Sequence, residues 1–313
     1  GDRMATVSRT VACRLCAPRP RLPLPARCAA QRTLFSRGIR IPFSRPFPSA
    51  KKAGMACASS QASPVQTQTT QAIEVIEPRH APTVPILFSC EHATQILPAR
   101  MSWEKDSRLM NAHWSFDPGA RDFTLELSEQ LGHVPCILSR FSRLVLDPNR
   151  PLSSDTLIRQ VADNQPVTFN QDLSQEQVEQ RIQEFYEPYH KAYTALVQKF
   201  QPKFILSIHS FTDSYEGQKR EVEIGVLFNK YVEPATKIAQ HLQREGGYIV
   251  RMNEPWSGKD GFQFAADLHA ADATRTECVP FMVELRQDLL TRVEWRARAV
   301  EVMAQALRAA CAP

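Results

Sequence analysis

The chain has 313 residues, 43% of them hydrophobic and 23% charged, with a formal net charge of +5, the make-up of a globular protein with one large domain or two modest ones. No run of 18 apolar residues occurs, which argues against a membrane-spanning helix. The charge is uneven: residues 1–72 carry ten Arg and two Lys against one acid, Asp2, leaving 26 of the 38 basic and 32 of the 33 acidic residues in 73–313, a body at −6 that gives no electrostatic footing for nucleic acid.

Residues 1–72 are rich in Arg, Ser, Ala and Pro and nearly free of acids. They read as an organellar transit peptide without a fold of its own, which puts the mature protein in a mitochondrial or plastid matrix. The competing reading is translated upstream sequence, since "GDR" precedes Met4 and Met55 is an alternative start; the protein would then be cytoplasmic. One domain is expected over 73–313. Of the eight cysteines, Cys13, Cys16, Cys28 and Cys57 lie in the leader, and Cys90, Cys136, Cys278 and Cys311 are scattered. That spacing predicts reduced, mostly buried thiols rather than a disulfide framework.

In chain order, "VPILFS" (84–89) is a short apolar run of the kind that forms a strand buried on both faces. In "FDPGARDFTLELSEQLG" (116–132), Asp117 is a candidate cap and Pro118 a candidate first helical residue. Ala120, Phe123, Leu127 and Leu131 follow at helical spacing, and Gly132 marks the stop. "VPCILS" (134–139) predicts a strand, and 148–170, with no clear period, a long loop. Residues 174–200 predict a long helix kinked at Pro188. "KFILSIHSF" (203–211), "VEIGVLFN" (222–229), "YIVRMN" and "PFMVELRQ" predict further strands. "EPATKIAQHLQREGG" and the C-terminal "TRVEWRARAVEVMAQALRAACA" predict amphipathic helices. Strands alternating with helices indicate an α/β fold, a mixed and largely parallel sheet flanked by helices. No Gly-rich phosphate loop is present, which disfavours a nucleotide enzyme.

In such sheets functional groups gather past the C-terminal ends of the strands. Glu91 and His92 follow "PILFSC", His209 follows "FILSI", Glu284 lies in "PFMVELRQ", and Asp117 precedes a helix. Two His and several carboxylates brought together this way suit a hydrolytic zinc site, with one position left for water. Each residue also has a plain structural reading: a hydrogen-bonded scaffold His, a capping Asp117, or a Glu284 paired with Arg286 or Arg140. A second cluster, "FSRLVLDPNRP" (141–151), sets Arg143, Asp147, Asn149 and Arg150 within eight residues. Arginine forks and an Asn amide suit an anionic substrate, with Asp147 holding one Arg in place; the alternative is a surface loop with ordinary ion pairs.

Taken in order, "SCEHATQILP", "FDPGA", "SRLVLDPNRP", "SIHSFTD", "EIGVLFN", "NEPWSGKDGF" and "VELRQDL" resemble the N-formylglutamate amidohydrolase family, over most of 84–290. The family is similar in fold and site layout to zinc carboxypeptidases and aspartoacylases. The resemblance implies a zinc-carboxypeptidase-like fold and one bound Zn2+ with His92 and His209 as ligands. It implies Arg143 on the scissile carbonyl or the substrate, Asn149 and Arg150 on the substrate carboxylate, and Glu284 as catalytic carboxylate. It also implies Asn253 beside a Gly-rich loop closing over the substrate. Those relatives carry the ligand carboxylate three residues after the first His, where this chain has Gln95. The third ligand must then be Asp117 or Glu91. Neighbouring residues on an extended chain point to opposite sides, so Glu91 can join His92 on one metal only if the strand has already turned; Asp117 has no such restriction, and Glu91 would otherwise orient an imidazole. The expected reaction is metal-dependent cleavage of an N-formyl or N-acyl amino acid, a small anionic partner, with neither nucleic acid nor membrane involved. The alternatives are another N-acyl amino acid or peptide as substrate, or a non-catalytic binding protein on the same fold.

Overall fold

The computed structural model describes residues 63–311 apart from Glu216 and Thr276. The stretch read as a leader lies outside the described residues up to position 62. Its last part is folded: Val65–Thr69 form strand β1 and pair antiparallel with β2 (Ile73–Pro78). The strands that follow are β3 (Ile86–Cys90), β4 (Cys136–Ser139), the small hairpin β5 (Val161–Ala162) and β6 (Gln165–Pro166), and β7 (Phe204–Phe211). A second hairpin, β8 (Ser214–Tyr215) and β9 (Gln218–Lys219), precedes β10 (Ile224–Leu227), β11 (Val250–Met252) and β12 (Val279–Arg286). The helices are α1 (Ala120–Gln130), α2 (Gln175–Arg181), α3 (Glu187–Phe200), α4 (Val232–Gly246), α5 (Phe264–Ala270), the single turn α6 (Gln287–Leu290) and α7 (Val293–Cys311).

Eight strands form one sheet in the order β1-β2-β4-β3-β7-β12-β10-β11. Its centre, β4-β3-β7-β12, is parallel throughout, while β2 and β10 join it antiparallel. The expected mixed, mostly parallel sheet flanked by helices is therefore present. β3 shows why the central strands read as unbroken apolar runs. Ile86, Phe88 and Cys90 pack with α1, α4 and α7 on one face, and Leu87 packs with Tyr189, Tyr193 and Leu196 of α3 on the other. Both faces are covered, so alternation of apolar and polar residues disappears. No helix among the described residues is long and apolar enough to cross a membrane. The four described cysteines are free, and Cys90, Cys136 and Cys278 are buried.

Two local departures shape the site. Asp117 does not cap α1. The helix starts at Ala120 after Gly119, whose φ of 81° is left-handed, a conformation that favours glycine; a Cβ there would also lie 2.9 Å from the Leu290 side chain. The turn lifts Asp117 off the helix end and leaves its carboxylate free to face the sheet. The long helix is irregular one turn ahead of Pro188, where Ile182–Tyr186 form a π turn between α2 and α3. Pro188 follows in the first turn of α3; helical backbone runs into it from the π turn, so its ring and missing N–H interrupt the ladder to the preceding turn, as expected at this position. The π turn buries Phe185 against Phe141, with ring centroids 5.0 Å apart, and aims Tyr186 so that its hydroxyl donates to the Arg150 carbonyl at 3.1 Å.

Candidate active site

His209 stands near the end of β7. The parallel register pairs it with Glu284 on β12, so the two side chains share one face of the sheet. Phe281, Val283 and Leu285 point into the α1/α4/α7 core; by strand alternation Glu284 and His209 face the other way. β3 ends at Cys90, and the chain turns at Glu91 and His92. The backbone N–H of Asp117 donates to the His92 carbonyl at 2.9 Å, which stitches the two loops together.

His92 Nδ1 lies 3.3 Å and His209 Nδ1 2.7 Å from the same oxygen, Asp117 Oδ2. The three residues are buried, and each offers a ligand atom within 4.8 Å of the others. A carboxylate stands behind each ring: Asp147 Oδ1 is 2.7 Å from His92 Nε2, and Glu91 Oε2 is 2.9 Å from His209 Nε2. Ser207 Oγ also donates to Glu91 Oε2, at 2.7 Å. Two imidazoles and a carboxylate, with an outer carboxylate on each ring, are donors that could hold a divalent metal ion.

The electrostatics agree with that donor set. Burial alone would lift the carboxyls and lower the imidazoles. Glu91 is nevertheless held down to about 2, because His209 and Ser207 outweigh its burial. Asp117 is held below the usual carboxylate range by His92 and His209, and Asp147 by His92, Arg143 and Arg150, each against its burial. Burial disfavours a proton on His209, yet Asp117 and Glu91 raise it to about 10. The cluster thus favours positive charge at its centre. Glu284 differs: burial pushes it up to about 7 against the pull of His209 and Arg143, and its Oε2 has no hydrogen-bond partner.

These groups open onto a cavity of about 590 Å3 whose wall includes Arg143, Arg150, Arg159, Trp114, Trp256 and Phe262. Arg143 donates to Asp147 Oδ2 at 2.8 Å and stands 3.6 Å from Asp117 Oδ1. Asp147 therefore ties the arginine to His92, the holding role expected of it.

A family model for N-formylglutamate amidohydrolase matches residues 84–291. The chain belongs to the N-formylglutamate amidohydrolase family. Its chemistry is amide hydrolysis, and that reaction class applies to this protein. Among solved structures, gene product Atu2144 from Agrobacterium tumefaciens is similar at 28% identity and a TM-score of 0.70, over 77% of this chain and 95% of that one. A bacteriophage poly-gamma-glutamate hydrolase is 13% identical with a TM-score of 0.37, over 78% of this chain and 89% of that one. An N-acetylmuramoyl-L-alanine amidase of Nostoc punctiforme is 10% identical with a TM-score of 0.32, over 72% and 95%. No curated protein matches the chain in sequence.

Within the family match, the structure gathers His92, Asp117, His209, Glu284, Arg143, Asn149 and Arg150 at one cavity. Two expectations are corrected. Glu91 is not a member of the candidate metal-binding group: it sits on the far nitrogen of His209, because it continues the β3 face that carries Leu87 and Ser89 while His92 has turned away. Asn149 lines the cavity as expected and is anchored there by backbone: Nδ2 donates to the Phe262 carbonyl at 2.8 Å and Oδ1 accepts from Ala265 N at 3.0 Å, which also fixes the start of α5. Asn253 does not line the cavity; its Oδ1 accepts from Phe228 N at 2.9 Å and Gly258 N at 3.2 Å, which makes it a staple of the loop. Gln95 pairs with Asn111 instead of the cluster. The sequence reading assigns no site role to Trp114, Arg159 or Trp256. Trp256 does stack on Phe262, at 5.3 Å, and it also forms part of the cavity wall. One signal was available for Arg159: a long aperiodic loop in a folded domain is commonly functional.

Proposed function

We propose that the protein is a metal-dependent amidohydrolase that cleaves N-formyl or other N-acyl amino acids, with N-formylglutamate as the reference substrate. The observation that carries this reading is the convergence of His92, Asp117 and His209 beside Glu284 within the family's fold. A divalent cation such as Zn2+ fits that donor set; when bound it polarises the amide carbonyl and acidifies a water. Glu284 is the group that takes the water's proton and delivers it to the leaving nitrogen, a task suited to a carboxyl pushed toward neutrality. Arg143, held by Asp147, stabilises the negative charge that develops on the carbonyl oxygen. Arg150 binds the substrate carboxylate with the donors it does not spend on Thr156 and the Asn149 carbonyl. The walls of the cavity keep the reacting amide from bulk water.

The test is metal analysis of the purified full chain and an assay of N-formylglutamate with and without added divalent ion. Glu284→Gln should keep the metal and lose at least about a hundredfold in kcat, the lower end for acid–base catalysis. A folded His209→Ala that retains both metal and activity would sink the assignment.

A further inference from the structure

Three arginines line the cavity, and they differ in what holds them. Arg143 is met by Asp147 and Asp117. Arg150 is steadied by Thr156 Oγ1 at 3.3 Å, by the Asn149 carbonyl at 2.8 Å and by the face of Phe262 at 5.2 Å. Arg159 borders the same cavity, yet among the described residues its guanidinium meets neither a carboxylate nor a hydrogen-bond acceptor. Its guanidinium lies over the face of Trp114, 5.7 Å from the ring centroid. Its charged surroundings are Arg143 and Arg150 as well as Asp147.

The residue is nonetheless fixed at its backbone. The Arg159 carbonyl accepts from Asn170 Nδ2 at 2.7 Å, and Asn170 Oδ1 accepts from Arg181 at 2.6 Å. Leu157 and Ile158, just before it, are buried with Leu146 and Tyr186. A half-buried guanidinium beside like charges, with no protein acceptor among the described residues, gains from an anion that completes it. Its planar fork seated on an aromatic face suits a carboxylate bound by two parallel hydrogen bonds.

We propose that Arg159, seated on Trp114, is a specificity-determining residue that reads a second carboxylate, the one on the side chain of the amino acid, while Arg150 takes the first. This rests on the reading of the protein as an N-acyl amino acid hydrolase and adds to it the residue that selects acidic side chains. A site built to bond a polar group rejects the analogue lacking it far more strongly than an apolar pocket rejects a size change.

The experiment compares N-formyl-L-glutamate with its neutral isostere N-formyl-L-glutamine on the metal-loaded full chain. The expected result is an acid-over-amide preference in kcat/KM of at least about tenfold. Arg159→Gln should collapse that ratio, mainly through KM for the acid, and Arg159→Lys should restore part of it. A purely structural role would depress both substrates alike. Equal rates in the wild type, or a ratio unmoved by Arg159→Gln, overturn the proposal and leave the amidohydrolase reading standing. A second readout needs no turnover: glutarate should raise the melting temperature more than the monoanion butyrate, and Arg159→Gln should erase the difference. Should Arg159→Gln fail to fold, the wild-type comparison and Arg159→Lys decide; an equal response of the wild type to both anions overturns the proposal. A glutarate effect lost in the variant, with no N-acyl amino acid hydrolysed, would support the second-carboxylate site and reject the hydrolase reading.

Discussion

His209 carries a carboxylate on each side of its ring, Asp117 at Nδ1 and Glu91 at Nε2. Only the first joins the candidate ligand group; the second fixes the ring's orientation and raises its basicity. Glu91→Gln keeps the shape and removes the charge, so metal affinity should fall by about 10–100-fold, the usual cost of losing such an outer partner, read by competition with a chromogenic chelator. The same pair sets a pH dependence of stability in the metal-free protein. Glu91 is depressed from 4.5 to about 2, so its stabilisation is present above about 4.5 and lost as pH falls toward 2. His209 is raised from 6.5 to about 10, so its stabilisation is present below about 6.5 and lost as pH rises toward 10. The two overlap between about pH 4.5 and 6.5, where thermal unfolding of the metal-free protein should show this pair's full contribution. Added metal should flatten the alkaline limb, since the ion replaces the proton on His209.

At the scale of elements, the decisive piece is the loop from Asn253 to Gln263, which crosses the end of β10 and leads into α5. Its fit depends on what is missing from two residues. A Cβ on Gly225 would lie 2.1 Å from the Glu254 carbonyl oxygen, and one on Gly258 2.6 Å from the Phe228 backbone. Both obstacles are backbone, so neither can swing aside. Gly225→Ala should therefore cost about 1–3 kcal/mol, the range for overpacking, measured by chemical denaturation. It should also raise KM with metal content unchanged, because the loop carries Trp256 and Phe262 while the candidate metal-binding residues lie on other segments. The sequence "NEPWSGKDGF" is legible as a Gly-rich loop; that Asn253 holds the loop together, rather than the substrate, follows only from the register that brings Phe228 and Gly258 to its side-chain oxygen.

Across the whole molecule, the sheet separates two apolar layers, and the site lies at one end of its parallel centre. Tyr193 in the α3 layer is fully buried and stacks on His269 of α5 at 4.1 Å. Tyr193→Ala should destabilise by about 3–5 kcal/mol, as large-to-small aromatic changes in cores do, with a matching drop in denaturation midpoint. Six strands of the eight-stranded sheet, most helices and the ordered family motifs were legible in the sequence, because apolar periodicity and short turn signals are local properties of the chain; β1 and β2, whose apolar residues are interspersed with polar ones toward one edge of the sheet, were not. His92, His209 and Glu284 were also legible, since each follows or ends an apolar run and strand ends are where such sheets collect polar groups. The choice between Asp117 and Glu91 was not. It depends on a left-handed turn at Gly119 and on the side to which β3 presents its last residue, and both are fixed by packing against Leu290, Ser207 and His209. Arg159 was hidden for a related reason: an arginine's missing partner is a property of everything folded around it. The sequence by itself determined six of the sheet's strands, the family and the set of chemical groups available. Only the tertiary structure decided which carboxylate faces the imidazoles and which stands behind them, because a difference of one residue in direction is set by contacts more than a hundred positions away.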